Sequence, residues 1–211
     1  MKRVAAAAIM AVLSISGSIW AQGDGRPPSP AGVSATQVGG TYVTVPGIVD
    51  PQYQGGKWIE IICSRPIKRG RDLWGSDADY GKRLNFGAPV WRAGADVSTR
   101  LKTEVPLIIN GKTVAAGEYT LFIDLKPNNW TFIVSKWAAQ THHDTANKDA
   151  LWGAFNYTPD KDVVRARMTL LTLAFAVDQL TWNFVDMTDA GGKIAIMWDR
   201  NVAMVPFRVG T

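Results

Sequence analysis

Cysteine and histidine are nearly absent from this 211-residue chain: Cys63 stands alone, and the only histidines are the adjacent pair His142 and His143. A single thiol excludes any intrachain disulfide, so stability has to come from packing. There is no C-x-x-C pair, no H-E-x-x-H, no glycine-rich phosphate loop and no G-x-S-x-G elbow, so the usual signatures of metal, nucleotide and hydrolase sites are missing. Excess charge is also small. Of the formal +5, two charges belong to Lys2 and Arg3, and the rest is too little for a nucleic-acid binder. Beyond the first twenty residues no apolar run approaches the ~20 residues that a membrane-spanning helix needs.

What is present begins at the N-terminus. Lys2 and Arg3 precede an uncharged run from Val4 to Ile19, the charged and apolar regions of a secretory leader. Cleavage is expected after Ala21, with Ser18 as the fallback, which assigns residues 1–21 to a signal peptide and leads to the periplasm or the cell exterior. Residues 22–40 are crowded with Gly, Pro and Ser and read as a flexible lead that buries too little to order itself. Residues 41–211 then form one domain, long enough for a core of its own.

Within that domain, short runs alternate apolar and polar residues with period two, the pattern of half-buried strands. The expected strands are 41–45, 57–64, 99–109, 119–125, 130–134, 163–173, 180–186, 193–198 and 202–209. Turn signals at Asn110-Gly111, Ala116-Gly117, Asn128-Asn129 and Asp189-Ala190-Gly191-Gly192 join them. The fold class is therefore all-β and mostly antiparallel, a single β-sandwich or flattened barrel, with one short helix possible near 144–152. Cys63, on one strand face with Ile59 and Ile61, reads as a small buried hydrophobe.

The most unusual stretch runs from Ser64 to Arg100, where eight basic residues face four acidic ones and Trp74, Tyr80 and Trp91 are interleaved. Guanidinium groups beside aromatic faces suit carboxylate, phosphate or sugar ligands. The competing reading is that Arg71 and Arg92 are partly buried and hold loops through backbone carbonyls and Asp96. Neither His142-His143-Asp144 nor Asp77-Ala78-Asp79 has the spacing of a metal site: adjacent histidines diverge on regular elements, and the twelfth position from Asp77 is Ala88 instead of glutamate. No metal or cofactor is expected from either. Of the eight tryptophans beyond the leader, Trp130, Trp182 and Trp198 sit in strand patterns as core residues, whereas Trp74 and Trp91 lie in loops and are the better candidates for exposed ligand faces.

In this stretch Ser64-Arg65-Pro66, Arg69-Gly70-Arg71, Gly75, Tyr80-Gly81-Lys82 and Trp91-Arg92-Ala93-Gly94-Ala95 occur in order, followed by Asn110-Gly111-Lys112, Ala116 to Leu121, Trp130, Trp152-Gly153, Tyr157 and Asp162 to Arg165. Together these resemble a bacterial exported family filed as domain of unknown function 2911, over most of the chain from Lys57 to Phe207. The resemblance implies a fold and an exported address, and no activity. Two features depart from it. Asp96 stands where the family pattern usually has Asn, replacing an amide able to donate with a carboxylate that only accepts. Residues 83–89 look like an insertion before Val90-Trp91, which is expected to remodel a loop near the site.

The candidate ligand-binding residues are Arg65, Arg71, Tyr80, Lys82, Trp91, Arg92 and Asp96. In that set Arg71 and Arg92 would supply charge-assisted hydrogen bonds, Tyr80 and Trp91 a flat face, and Lys82 and Asp96 orientation. The expected function is a noncatalytic envelope module for a small anionic or carbohydrate ligand. A structural or assembly protein with an envelope protein partner is the alternative, and a hydrolase or transferase the next. A binding module should gather Arg71, Arg92 and Trp91 at an open concavity; an assembly protein should expose an apolar patch or a free strand edge.

Overall fold

A computed structural model describes residues 27–142, 144, 146, 147 and 154–210 of the chain. The expected signal peptide at 1–21 and most of the helix expected near 144–152 lie outside the described residues. Twelve strands are present among those described: β1 (Ala31–Val38), β2 (Thr41–Val43), β3 (Gln52–Gln54), β4 (Lys57–Ser64), β5 (Thr99–Thr103), β6 (Leu107–Ile109), β7 (Lys112–Val114), β8 (Gly117–Asp124), β9 (Thr131–Ser135), β10 (Asp162–Arg167), β11 (Thr169–Thr188) and β12 (Gly191–Val209). One short helix, α1 (Lys82–Asn85), interrupts the long connection between β4 and β5.

The fold is the all-β sandwich expected, with antiparallel pairing throughout. A six-stranded sheet runs β1-β4-β5-β8-β9-β10, a four-stranded sheet runs β11-β12-β6-β7, and β2 and β3 form a small separate hairpin. Alternation along the strands builds the core. On β4, Ile59, Ile61 and Cys63 are buried on one face, and Leu101, Leu121, Ile123, Phe132 and Val134 continue that face across the sheet. Leu107, Ile109, Ile194, Ile196, Trp198, Val205 and Phe207 of the other sheet meet them in one cluster. Burial of this apolar surface is the main force holding the sheets together, about 25 cal/mol for each Å² removed from water. A second, smaller cluster of Ala88, Val90, Phe122, Ile133, Ala154 and Tyr157 covers the opposite face of β8 and β9.

Several sequence expectations need correction. Residues 31–38 lie inside the stretch read as a flexible lead, yet they form β1 and pair with β4 along its whole length, from Ala31 opposite Ser64 to Val38 opposite Lys57. β1 is the outermost strand of its sheet and buries only Val38 fully, so its order comes from backbone pairing and leaves little apolar signal. The single strand expected at 99–109 is two strands in different sheets, because Pro106 lacks the N–H that a continuous ladder would use. Ala116-Gly117 likewise joins strands of different sheets, β7 and β8, instead of closing a hairpin. The run expected at 163–173 divides at Met168 between β10, in the six-stranded sheet, and β11, whereas the runs expected at 180–186, 193–198 and 202–209 lie within the long β11–β12 hairpin, whose two-residue turn is Asp189-Ala190. Gly191 follows that turn at φ 145, where a Cβ would come within 2.3 Å of the Phe207 carbonyl oxygen, so only glycine fits.

The segment that leaves β4 staples the two sheets together. Lys68 N–H donates to the Asp178 carbonyl and Leu180 N–H to that of Pro66. Arg65 adds bonds from Nε to the Leu180 carbonyl and from Nη2 to Thr181 Oγ1, both 2.9 Å. Lys68 pairs with Asp199 on β12. This end of the sandwich carries the candidate site.

Candidate functional site: an arginine-lined cleft

A cleft of about 430 Å³ opens at the stapled end, between the segment after β4, the α1 region and the turn before β5, with Pro28 and Ser29 on its rim. Each wall is fixed by local chemistry. On the first wall Arg69 and Gly70 both take left-handed backbone, φ 49 and 72, and turn the chain so that Arg69 and Arg71 both line the cleft. Arg71 is then held from behind: Nε donates to the Lys68 carbonyl at 2.9 Å and Nη2 to the Ile67 carbonyl at 2.6 Å, and neither bond uses Nη1. The Arg69 guanidinium is in none of the ion pairs found among the described residues.

The second wall comes from α1 and the residues after it. Arg83, Leu84 and Phe86 line the cleft, and Phe86 ends the helix in left-handed backbone with 56% of its surface exposed. Arg83 pairs loosely with Asp72, 3.4 Å away and open to solvent. This is the stretch read from the sequence as an insertion, and it does shape the site.

The third wall and the floor are the turn at 91–96. Trp91 pairs with Ile123 in both directions, N–H to carbonyl at 2.9 and 2.8 Å, which docks the turn on β8. Two donors then converge on the Ala93 carbonyl, Thr99 Oγ1 at 3.1 Å and Trp182 Nε1 at 3.0 Å. Gly94 sits so close to Thr99 and Ser64 that a Cβ would meet Thr99 Oγ1 at 2.7 Å and the Ser64 carbonyl at 3.2 Å. Asp96 adopts φ 58, a conformation that Asp and Asn accept more readily than other residues with side chains. Either residue therefore serves the backbone here, and having Asp at this position adds a charge.

Arg92 is only 5% exposed. Burial lowers its pKa to about 10, with Asp96 opposing that shift, so the guanidinium stays charged at neutral pH. Beneath it the floor is aromatic: Trp91 stacks on Trp198, ring centres 6.0 Å apart and planes 13° from parallel. Trp74 packs edge-on against both, and beyond them it stacks with Tyr80 and tilts against Trp130.

Of the residues singled out from the sequence, Arg71, Trp91, Arg92 and Asp96 line the cleft. As the loop-holding reading expected, Arg71 bonds backbone carbonyls and Arg92 is buried, although Arg71 itself is exposed; both also line the cavity. The expectation that Trp91 offers an exposed face is overturned: it is 2% exposed, and Trp74 is buried as well, because the connecting segment folds back onto the core. Tyr80 accepts a hydrogen bond from Trp130 Nε1 at 2.9 Å and belongs to the aromatic cluster outside the cleft. Lys82 pairs with Asp79 on the surface over a neighbouring depression, and Arg65 belongs to the staple. Sequence reasoning missed Arg69, Arg83 and Phe86 as site residues. The first two stood in the basic stretch already noted; Phe86 carried no signal apart from its place in the insertion.

The lining residues thus combine four guanidinium groups with one carboxylate over an apolar floor, an arrangement able to hold an anion. Cys63, whose strand ends beside Gly94, is buried, and burial pushes its thiol up to about 11, away from the thiolate form that a nucleophile uses.

These features belong to a member of a family of unknown function. The chain matches the family described as Protein of unknown function (DUF2911) over residues 49–207, and it belongs to that family. Searches of curated proteins and of solved structures found no match.

Proposed function

We propose that the protein is an exported, noncatalytic module that binds a small anionic ligand in the arginine-lined cleft. The observation that carries this reading is Arg71, anchored by two backbone carbonyls at a cavity whose lining holds four arginines and one acid. A guanidinium held in advance loses little freedom on binding, which is how a site gains affinity for carboxylate or phosphate. The sugar-stacking version has less support, because Trp91 and Trp198 face each other as a buried floor. Export is supported by Lys2, Arg3 and the apolar run after them.

The test is a thermal-shift screen of the protein against anionic metabolites, with Arg71→Gln alongside. A ligand at a hundred times its Kd should stabilise the wild type by about 2.7 kcal/mol and the variant far less. No shift with any anion would refute the reading.

One observation favours the assembly alternative. β11 is the outermost strand of its sheet, and between Thr172 and Val177 it bulges away from β12, leaving Leu171 51% and Phe175 64% exposed. Residues 169–177 carry no charge to oppose pairing with the same edge of a second copy. Sedimentation of wild type beside Phe175→Lys tests this: a dimer lost in the variant supports it, and a wild-type monomer rules it out.

A further inference from the structure

We propose that the ligand of this cleft is a phosphomonoester with an apolar arm, the phosphate held between Arg69 and Arg71 and the arm laid against Phe86. This deepens the anion-binding reading and rests on it. Charge points to the phosphate. The one carboxylate of the lining, Asp96, lies in the same turn as Arg92, and Arg83 pairs with Asp72. Arg69 and Arg71 are left on one wall, two positions apart around Gly70. A monocarboxylate engages one such fork in bidentate fashion. A phosphomonoester, with three terminal oxygens and close to two charges at neutral pH, can engage both.

Shape points to the apolar arm. A cavity of about 430 Å³ falls in the range of sites that enclose whole drug-sized molecules, far more than a phosphate group fills. Besides the arginines, the lining includes Leu84 and Phe86, 56% exposed, and Ile67 and Trp198 continue its apolar part. A ligand that places charge on the first wall leaves the rest of the space to be filled by an apolar or aromatic group. Phe86 is also the residue that leaves α1 in left-handed backbone, at φ 52 and ψ 36. That is an unfavourable conformation for a bulky side chain.

A soluble aryl or alkyl phosphate and a lipid phosphate headgroup share this chemistry. The experiment is calorimetric titration of the protein with inorganic phosphate, benzoate and phenyl phosphate, and cosedimentation with phosphatidylcholine vesicles with and without phosphatidate. Phenyl phosphate is expected to bind at least about tenfold more tightly than either inorganic phosphate or benzoate. In Phe86→Gly, where glycine suits the backbone, that advantage over inorganic phosphate should disappear while the melting midpoint is kept. Sedimentation with phosphatidate vesicles alone, lost in Phe86→Gly, would place the same chemistry on a lipid. If inorganic phosphate binds as well as phenyl phosphate and vesicles are ignored, the apolar arm is ruled out; if benzoate binds as well, the preference for phosphate is ruled out; in both cases the amphiphilic phosphomonoester fails and anion binding stands. If none of these probes binds, both fail.

Discussion

At the scale of single residues, the tryptophans separate by what their indole N–H groups reach. Trp182 donates to the Ala93 carbonyl and Trp198 to that of Asp178, at 3.0 and 3.1 Å. Trp74 Nε1 is buried with no acceptor among the described residues. A buried donor left unsatisfied costs roughly 1–3 kcal/mol, so removing it recovers part of what the smaller ring loses. Trp74→Phe should therefore destabilise by at least about 1 kcal/mol less than Trp182→Phe in denaturant melts; equal losses would mean the Trp182 bond contributes nothing. The Cys63 thiol couples stability to pH. Its folded pKa of about 11 exceeds the ordinary value of 9.0, so between those pH values the folded state holds a proton that the unfolded state has released. Stability contributed by the neutral thiol is then complete below pH 9 and falls as pH rises towards 11, by up to about 1.4 kcal/mol per pH unit. Cys63→Ala should flatten that part of the stability profile, and the wild-type thiol should resist a thiol reagent until the protein unfolds.

At the scale of elements, the staple and the 91–96 turn position the cleft. Arg65→Met removes two bonds to β11 and should cost roughly 1–3 kcal/mol by chemical denaturation. Gly94→Ala should cost a similar roughly 1–3 kcal/mol, since the new Cβ collides with Thr99 and the Ser64 carbonyl; a neutral result would show that the turn is free to shift. The same elements mark what sequence could and could not reveal. β4 was legible because Ile59, Ile61 and Cys63 alternate cleanly with partly exposed residues. β1 was not, because an edge strand ordered by its ladder needs few apolar side chains. β11 and β12 read as fragments because the bulges at 173–176 and near Asp199 break the alternation. The basic stretch advertised a site, but Trp91 looked exposed because its burial depends on pairing with Ile123, thirty-two positions away and in another element. Phe86 was invisible for the opposite reason: its exposure comes from the end of a four-residue helix that no periodicity announces.

At the scale of the whole molecule, the cleft-lining arginines lie at the end of the sandwich where the segment after β4 is tied to β11. If the leader directs export, N-terminal sequencing of protein recovered from the periplasm or medium should begin at Gln22; an intact Met1 in the cytoplasm would remove the export reading. Anion binding through exposed guanidinium groups should also weaken with salt, since such contacts are screened over about 10 Å at 0.1 M ionic strength. The proposed ligand binding turns on Arg69 and Arg71, so the most direct measurement is calorimetric titration of phenyl phosphate into wild type and into an Arg69→Gln/Arg71→Gln variant, with melting midpoints recorded for both. The expected result is saturable binding to wild type, weakened at least about tenfold in a variant that remains folded. Equal affinity in the two proteins, or no binding to wild type, would contradict it.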